Sequence, residues 1–167
     1  MTRGKKHEYL GMEIVLKDKA FEISMKDQID EAIEAFGEEL HGTVTSPCAR
    51  HLLESRDDIE QLDMRRKEIF HSVTAKLLYI EKRARPDIET AISFLTTRVD
   101  RSNEDDWKKL KRVLTYLNQT KNDVRIIGCE NMDNLYTWID AAYGVWRNMR
   151  SQTGGCMSLG LVMLHCK

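Results

Sequence analysis

The chain has 167 residues, of which 41% are hydrophobic and 32% charged, and its net charge is −1. That balance describes a folded globular protein and excludes both a disordered chain and one that captures nucleic acid by bulk positive charge. No apolar run approaches the roughly 20 residues that span a bilayer, and the basic start Met1-Thr2-Arg3-Gly4-Lys5-Lys6 lacks the apolar stretch of a signal peptide. The expected location is therefore intracellular, cytoplasmic or nuclear, with no membrane partner.

His7 to Val15 and Ala20 to Met25 read as a β-hairpin across the polar turn Lys17-Asp18-Lys19. Tyr9, Leu10, Met12, Ile14 and Leu16 supply its buried face, and Gly11 suits close approach of another backbone. Ser24 with Asp27 predicts an N-cap, followed by a helical stripe of Ile29, Ala32, Ile33 and Phe36 and a C-cap at Gly37. His41 to Arg50 is expected as a loop, extended at Ser46 by Pro47. Ile59 to Ala84 reads as mostly helical, with Ile69, Phe70, Val73, Leu77 and Ile80 at the 3.6-residue period. His71 falls on the helix surface, and no acidic residue is evident to orient it for catalysis.

Arg85 to Leu117 predicts two helices with a polar break. Pro86 sits where a first helical turn tolerates proline, and Ile88, Ala91, Ile92, Leu95 and Val99 share one face. Ser102 is the expected cap of the second helix, with Asp105 as its capping-box partner. Trp107, Leu110, Val113, Leu114 and Leu117 form the apolar stripe of that helix, and Lys108, Lys109 and Arg112 lie roughly opposite. From Val124 the period changes to strand-like: Val124 to Ile127, Leu135 to Ala142, Gly155 to Leu159 and Leu161 to Leu164. A second unit is expected to begin near Cys129. The fold class is thus α+β. The four cysteines, Cys48, Cys129, Cys156 and Cys166, contain no C-x-x-C pair. Neither a disulfide framework nor a zinc site is expected from them, and Cys48 with His51 lacks a second ligand pair.

Several stretches, taken in order, carry a resemblance. They are Tyr9-Leu10-Gly11-Met12-Glu13-Ile14, Ala35-Phe36-Gly37, Thr45-Ser46-Pro47, Phe70-His71-Ser72, Lys76-Leu77-Leu78-Tyr79, Arg85-Pro86-Asp87-Ile88, Trp107 to Leu114 and Tyr116 to Thr120. Together they resemble the copia-type retrotransposon Pol polyprotein, where the C-terminal part of reverse transcriptase runs into ribonuclease H. Ala75 stands where that family usually has glycine. The resemblance implies three consecutive segments: 1–40 as the end of the polymerase palm, 41–128 as a helical thumb and connection region, and 129–167 as the opening strands of an incomplete ribonuclease H-like sheet. The parent activities it implies are RNA-directed DNA synthesis and cleavage of the RNA in a hybrid.

Catalysis by this stretch alone is not expected. The family's polymerase carboxylates lie on the palm upstream, and Asp57-Asp58 and Asp105-Asp106 read as helix-start charges opposing the dipole. Tyr136-Thr137-Trp138-Ile139-Asp140-Ala141 is similar to the first ribonuclease H strand, whose aspartate binds catalytic magnesium, and Asp140 matches that position. Ala142 replaces a second common aspartate, and one carboxylate cannot hold two ions about 4 Å apart. Mg2+ is therefore implied for the parent family and no cofactor is expected for this chain alone, with Asp140 an incomplete ligand or an ordinary strand-end aspartate in a turn contact. Lys108, Lys109 and Arg112, flanked by Lys111, are the candidate contacts to phosphates of an RNA/DNA template–primer duplex. A solvated helix face would carry the same residues. The implied partners are that duplex and the remainder of the Pol polyprotein. The alternative is a non-enzymatic helical module that binds nucleic acid or protein. Exposed apolar surface where the rest of the palm is missing would favour the first reading, a compact monomer with a closed core the second.

Overall fold

The computed structural model describes residues 4–56, 58–129, 133–145, 149–160 and 163–166. Met1-Thr2-Arg3, Asp57, Leu161 at the head of the last expected strand and Lys167 lie outside the described residues. The fold is α+β, with antiparallel strands and four α-helices among the described residues. Contacts divide the chain into two units, Met1–Ser24 with Asp123–Lys167, and Met25–Asn122. The opening and closing strands therefore share one unit, and the first helix belongs to the other.

In the strand unit, the first apolar run does not form a single strand. Leu10 and Gly11 have φ of 50° and 74°, a two-residue turn whose twist matches its flanking strands. Tyr9 consequently pairs with Met12, and Lys6–Tyr9 (β1) and Met12–Lys17 (β2) make a hairpin of their own. Gly11 serves a turn here, not the close backbone approach expected of it. Asp18-Lys19 then turns β2 into Ala20–Ser24 (β3), with Lys17 opposite Ala20.

Arg125–Gly128 (β4) pairs antiparallel with β3, Phe21 opposite Ile127, giving the order β1-β2-β3-β4. The change of period at Val124 coincides with the passage from the helical unit into the strand unit at Asp123, where β4 completes the N-terminal sheet. A pairing across a hundred residues leaves no local signal. The second sheet has the order β5-β6-β7, from Tyr136–Ala142 (β5), Gln152–Ser158 (β6) and Met163–Cys166 (β7). Every residue of β5 is exposed.

The helical unit holds the main core. Lys26–Phe36 (α1) buries Ile29, Ala32 and Phe36 and ends at Gly37 in the left-handed conformation, φ 72°, as its sequence predicts. Its N-cap is Met25, without a side-chain bond, so Ser24 does not cap it. Met64–Arg83 (α2) starts later than Ile59, where Asp63 accepts from the Arg66 N–H, and it buries Phe70, Val73, Leu77 and Ile80. Asp58 lies in a turn before it, not at a helix start. His71 is exposed, as expected.

A 3-10 turn at Pro86–Ile88 leads into Glu89–Thr96 (α3), which packs Ala91, Ile92, Phe94 and Leu95 inward. After a second 3-10 turn at Val99–Arg101 comes Glu104–Gln119 (α4). Its cap is one residue later than Ser102: Asn103 accepts from the Asp105 and Asp106 N–H groups, and Asp106 accepts from the Asn103 N–H in return. The Ser102 hydroxyl is buried with no hydrogen-bond partner among the described residues.

Candidate nucleic-acid interface

α4 carries all four basic residues of the candidate interface, and helical geometry separates them. Lys108, Lys111 and Arg112 stand at i, i+3 and i+4 and share one outer flank. Lys109 stands three residues after buried Asp106 and four before buried Val113, so it borders the apolar stripe and turns inward. Only 7% of Lys109 is exposed. Its ammonium donates to the Glu54 carbonyl, pairs with Asp105 at 3.2 Å and lies 4.5 Å over the centre of the Phe94 ring. These contacts satisfy a buried cation from three sides.

The other three differ among themselves. Lys108 is exposed. The Lys111 ammonium donates to Glu38 at 2.8 Å, and Arg112 donates from Nε to the Ser46 carbonyl at 3.1 Å. Arg112 thereby anchors the loop expected at His41 to Arg50, which Gln119 also holds by donating to the Gly42 carbonyl at 2.9 Å and accepting from the Val44 N–H.

Glu38 organises a cluster that spacing alone did not reveal. One carboxylate oxygen accepts from Trp107 Nε1 at 2.9 Å while the other faces Lys111. Trp107 stacks on Phe36 with ring centres 4.5 Å apart, and the Arg66 guanidinium lies 4.4 Å over the Trp107 ring. The Lys111 hydrogen bond holds the Glu38 carboxyl below the usual carboxylate range, against the upward push of partial burial. A second cluster sits at the entry to α4, where Arg98 Nε donates to Asp106 at 3.0 Å with both side chains buried.

Asp140 stands apart from these residues on β5. It is exposed, faces Gly154 across the sheet, and accepts the Ala141 N–H at 2.9 Å. Among the described residues no group of three or more His, Cys, Asp or Glu is placed to hold a metal ion. The donor set around Asp140 does not fit a magnesium pair, and Ala142 on the same strand offers no ligand. Beside Asp140, Tyr136 and Trp138 stack with ring centres 6.2 Å apart on an exposed surface.

No helix among the described residues is long and apolar enough to cross a membrane. No family model matches the chain, and no solved structure matches it. The chain is 27% identical over 158 residues to the "Retrovirus-related Pol polyprotein from transposon TNT 1-94" of Nicotiana tabacum. The match covers 90% of this chain and spans 12% of the length of that relative. This similarity supports a retrotransposon Pol-like origin for the chain.

Proposed function

We propose that the chain is a structural segment of a copia-type Pol polyprotein, from the end of the reverse transcriptase palm through the thumb and connection helices into the opening strands of ribonuclease H. Its own role is to hold a template–primer duplex, not to perform catalysis. The observation that carries this reading is the contrast between the two units. The helical unit closes over fully buried Phe70, Phe94, Leu110 and Leu114, whereas the strand unit leaves Tyr9, Leu10, Phe21, Trp138 and Ile139 substantially exposed. These exposed apolar side chains, Trp138 stacked beside Tyr136 among them, are the surface proposed to be covered by a partner, the remainder of the polyprotein. The match to a Pol polyprotein, which includes most of both units, supports the same reading.

The duplex contact is assigned to the outer flank of α4: Lys108 first, then Lys111 and Arg112, with Lys109 fixing the helix from within. A test is equilibrium binding of a fluorescent RNA–DNA hybrid to the chain over a range of salt concentrations. Log affinity should fall linearly with log salt, with a slope near −0.9 per phosphate neutralised, and Lys108→Glu should weaken binding for every sequence tried. Binding that ignores both salt and Lys108 would overturn the assignment.

The second reading is a helical binding module without the polyprotein. The closed core of Met25–Asn122 favours it. The two readings part on the strand unit: a module predicts a chain that stays monomeric and binds no hydrophobic dye, while the segment reading predicts dye binding at the sheets.

A further inference from the structure

Two cysteines of the second sheet face each other. Cys156 on β6 pairs in register with Cys166 on β7, one step before the irregularity at Met157 and Ser158. Directly opposed residues on antiparallel strands point to the same face, with Cα atoms about 4.5–5.5 Å apart. A disulfide requires roughly 4.4–6.8 Å. Both side chains are reduced thiols and neither is fully buried, so a small oxidant can reach them. Trp138 on β5 is also the register partner of Cys156, which places Trp138, Cys156 and Cys166 in one row across the sheet. Among the described residues no other strand pairing sets two cysteines opposite each other.

We propose that Cys156 and Cys166 form a dithiol–disulfide couple that reacts with a low-molecular-weight disulfide such as oxidised glutathione. One cysteine, as thiolate, attacks a sulfur of oxidised glutathione. The glutathione S–S bond breaks, a mixed disulfide forms, and one glutathione thiolate leaves. The second cysteine thiolate attacks the cysteine sulfur of the mixed disulfide, which breaks as the Cys156–Cys166 bond forms and a second glutathione thiolate leaves. Two protons pass from the cysteines to the departing thiolates, so the two thiols are oxidised and one glutathione disulfide is reduced to two thiols. The product cross-links β7 to β6 and sets a disulfide beside the Trp138 indole.

The test incubates the full chain with oxidised glutathione, quenches in acid, alkylates the remaining thiols and maps the tryptic peptide 151–167. The expected result is a peptide about 2 Da lighter, two of the chain's four cysteines left alkylated, and a fall in tryptophan emission that dithiothreitol reverses. Trp138→Phe should abolish most of the emission change and keep the 2 Da loss. Cys156→Ser should stop at a glutathione adduct on Cys166. Selectivity for this pair over Cys48 and Cys129 should be at least about tenfold greater in the native chain than in urea, because the sheet raises their effective concentration. Glutathione adducts on both cysteines without a 2 Da loss, cross-links through Cys48 or Cys129, or equal selectivity in urea would each overturn the proposal.

Discussion

Replacing Asp106 with alanine should come close to unfolding the helical unit. Asp106 and Arg98 are 1% and 3% exposed, and their side chains meet at 3.0 Å. The same carboxylate oxygen accepts the Asn103 N–H at 3.2 Å, closing the α4 capping box. Removing the carboxylate leaves a guanidinium buried without its counter-charge, which costs about 3–5 kcal/mol. It also removes half of a reciprocal cap whose complete loss costs about 0.5–2 kcal/mol. The sum, about 3–6 kcal/mol, approaches the whole stability of a marginal domain, which lies at about 5–15 kcal/mol.

Urea unfolding followed by Trp107 emission would measure it, with Trp138 and Trp146 replaced by phenylalanine so that Trp107 alone reports. Asp106→Asn keeps an acceptor and should cost less than Asp106→Ala. The double variant Arg98→Met with Asp106→Leu should recover much of the loss, because an apolar pair of similar size has no charge to desolvate. A cost below about 1 kcal/mol for Asp106→Ala would mean the pair behaves as a solvated surface bridge, and the reasoning would fail.

Three further outcomes follow from the same geometry. Because the Glu38 carboxyl titrates below its ordinary value in the folded chain, its stabilisation is present above the unfolded-state pKa and is lost as pH falls through the folded one. Glu38→Gln should therefore lower Tm at pH 7 and lose that difference as pH falls below the ordinary glutamate pKa of about 4.3, and a difference constant with pH would refute the linkage. Lys109→Met should be far less damaging than Lys109→Ala in thermal melts, since the methionine keeps the stem packed beside Phe94 while alanine leaves a cavity, at about 2–5 kcal/mol by analogy with truncated core side chains; equal losses would place Lys109 outside the core. Ile139, 78% exposed on β5, should tolerate Ile139→Thr with a Tm change within a few degrees and with reduced aggregation in light scattering, whereas a large loss of Tm would show that Ile139 is covered in solution.

The apolar stripes of α1, α2 and α4 were legible because apolar residues recur there at the 3.6-residue period; that of α3 was legible only in part, since Val99 falls in the following 3-10 turn and the buried Phe94 was missed. Gly37 was legible because a left-handed cap selects glycine. The α4 cap was read one residue early. Ser102 and Asn103 are both good caps, and the choice falls on Asn103 because Asp106, not Asp105, can reach back to its N–H. Lys109 was read by residue type as part of a solvent face, although its position beside Asp106 and Val113 already put it on the inward flank. Nothing local announced that β4 would pair with β3, that Glu38 would meet Trp107 and Lys111, or that Arg98 would reach Asp106 across the polar break. Those contacts depend on how the helices pack. The sequence segments 1–40, 41–128 and 129–167 are consecutive, whereas the contact units interleave the two ends of the chain.

We propose that this segment holds a hybrid duplex without cutting it. The direct measurement is an RNA–DNA hybrid, labelled on the RNA strand, incubated with the chain and magnesium and resolved on native and denaturing gels in parallel. Retarded hybrid with an intact RNA strand, the retardation fading as salt rises, is the predicted result. Magnesium-dependent shortening of the RNA strand, abolished by Asp140→Asn, would contradict the claim, and so would hybrid that is not retarded at low salt.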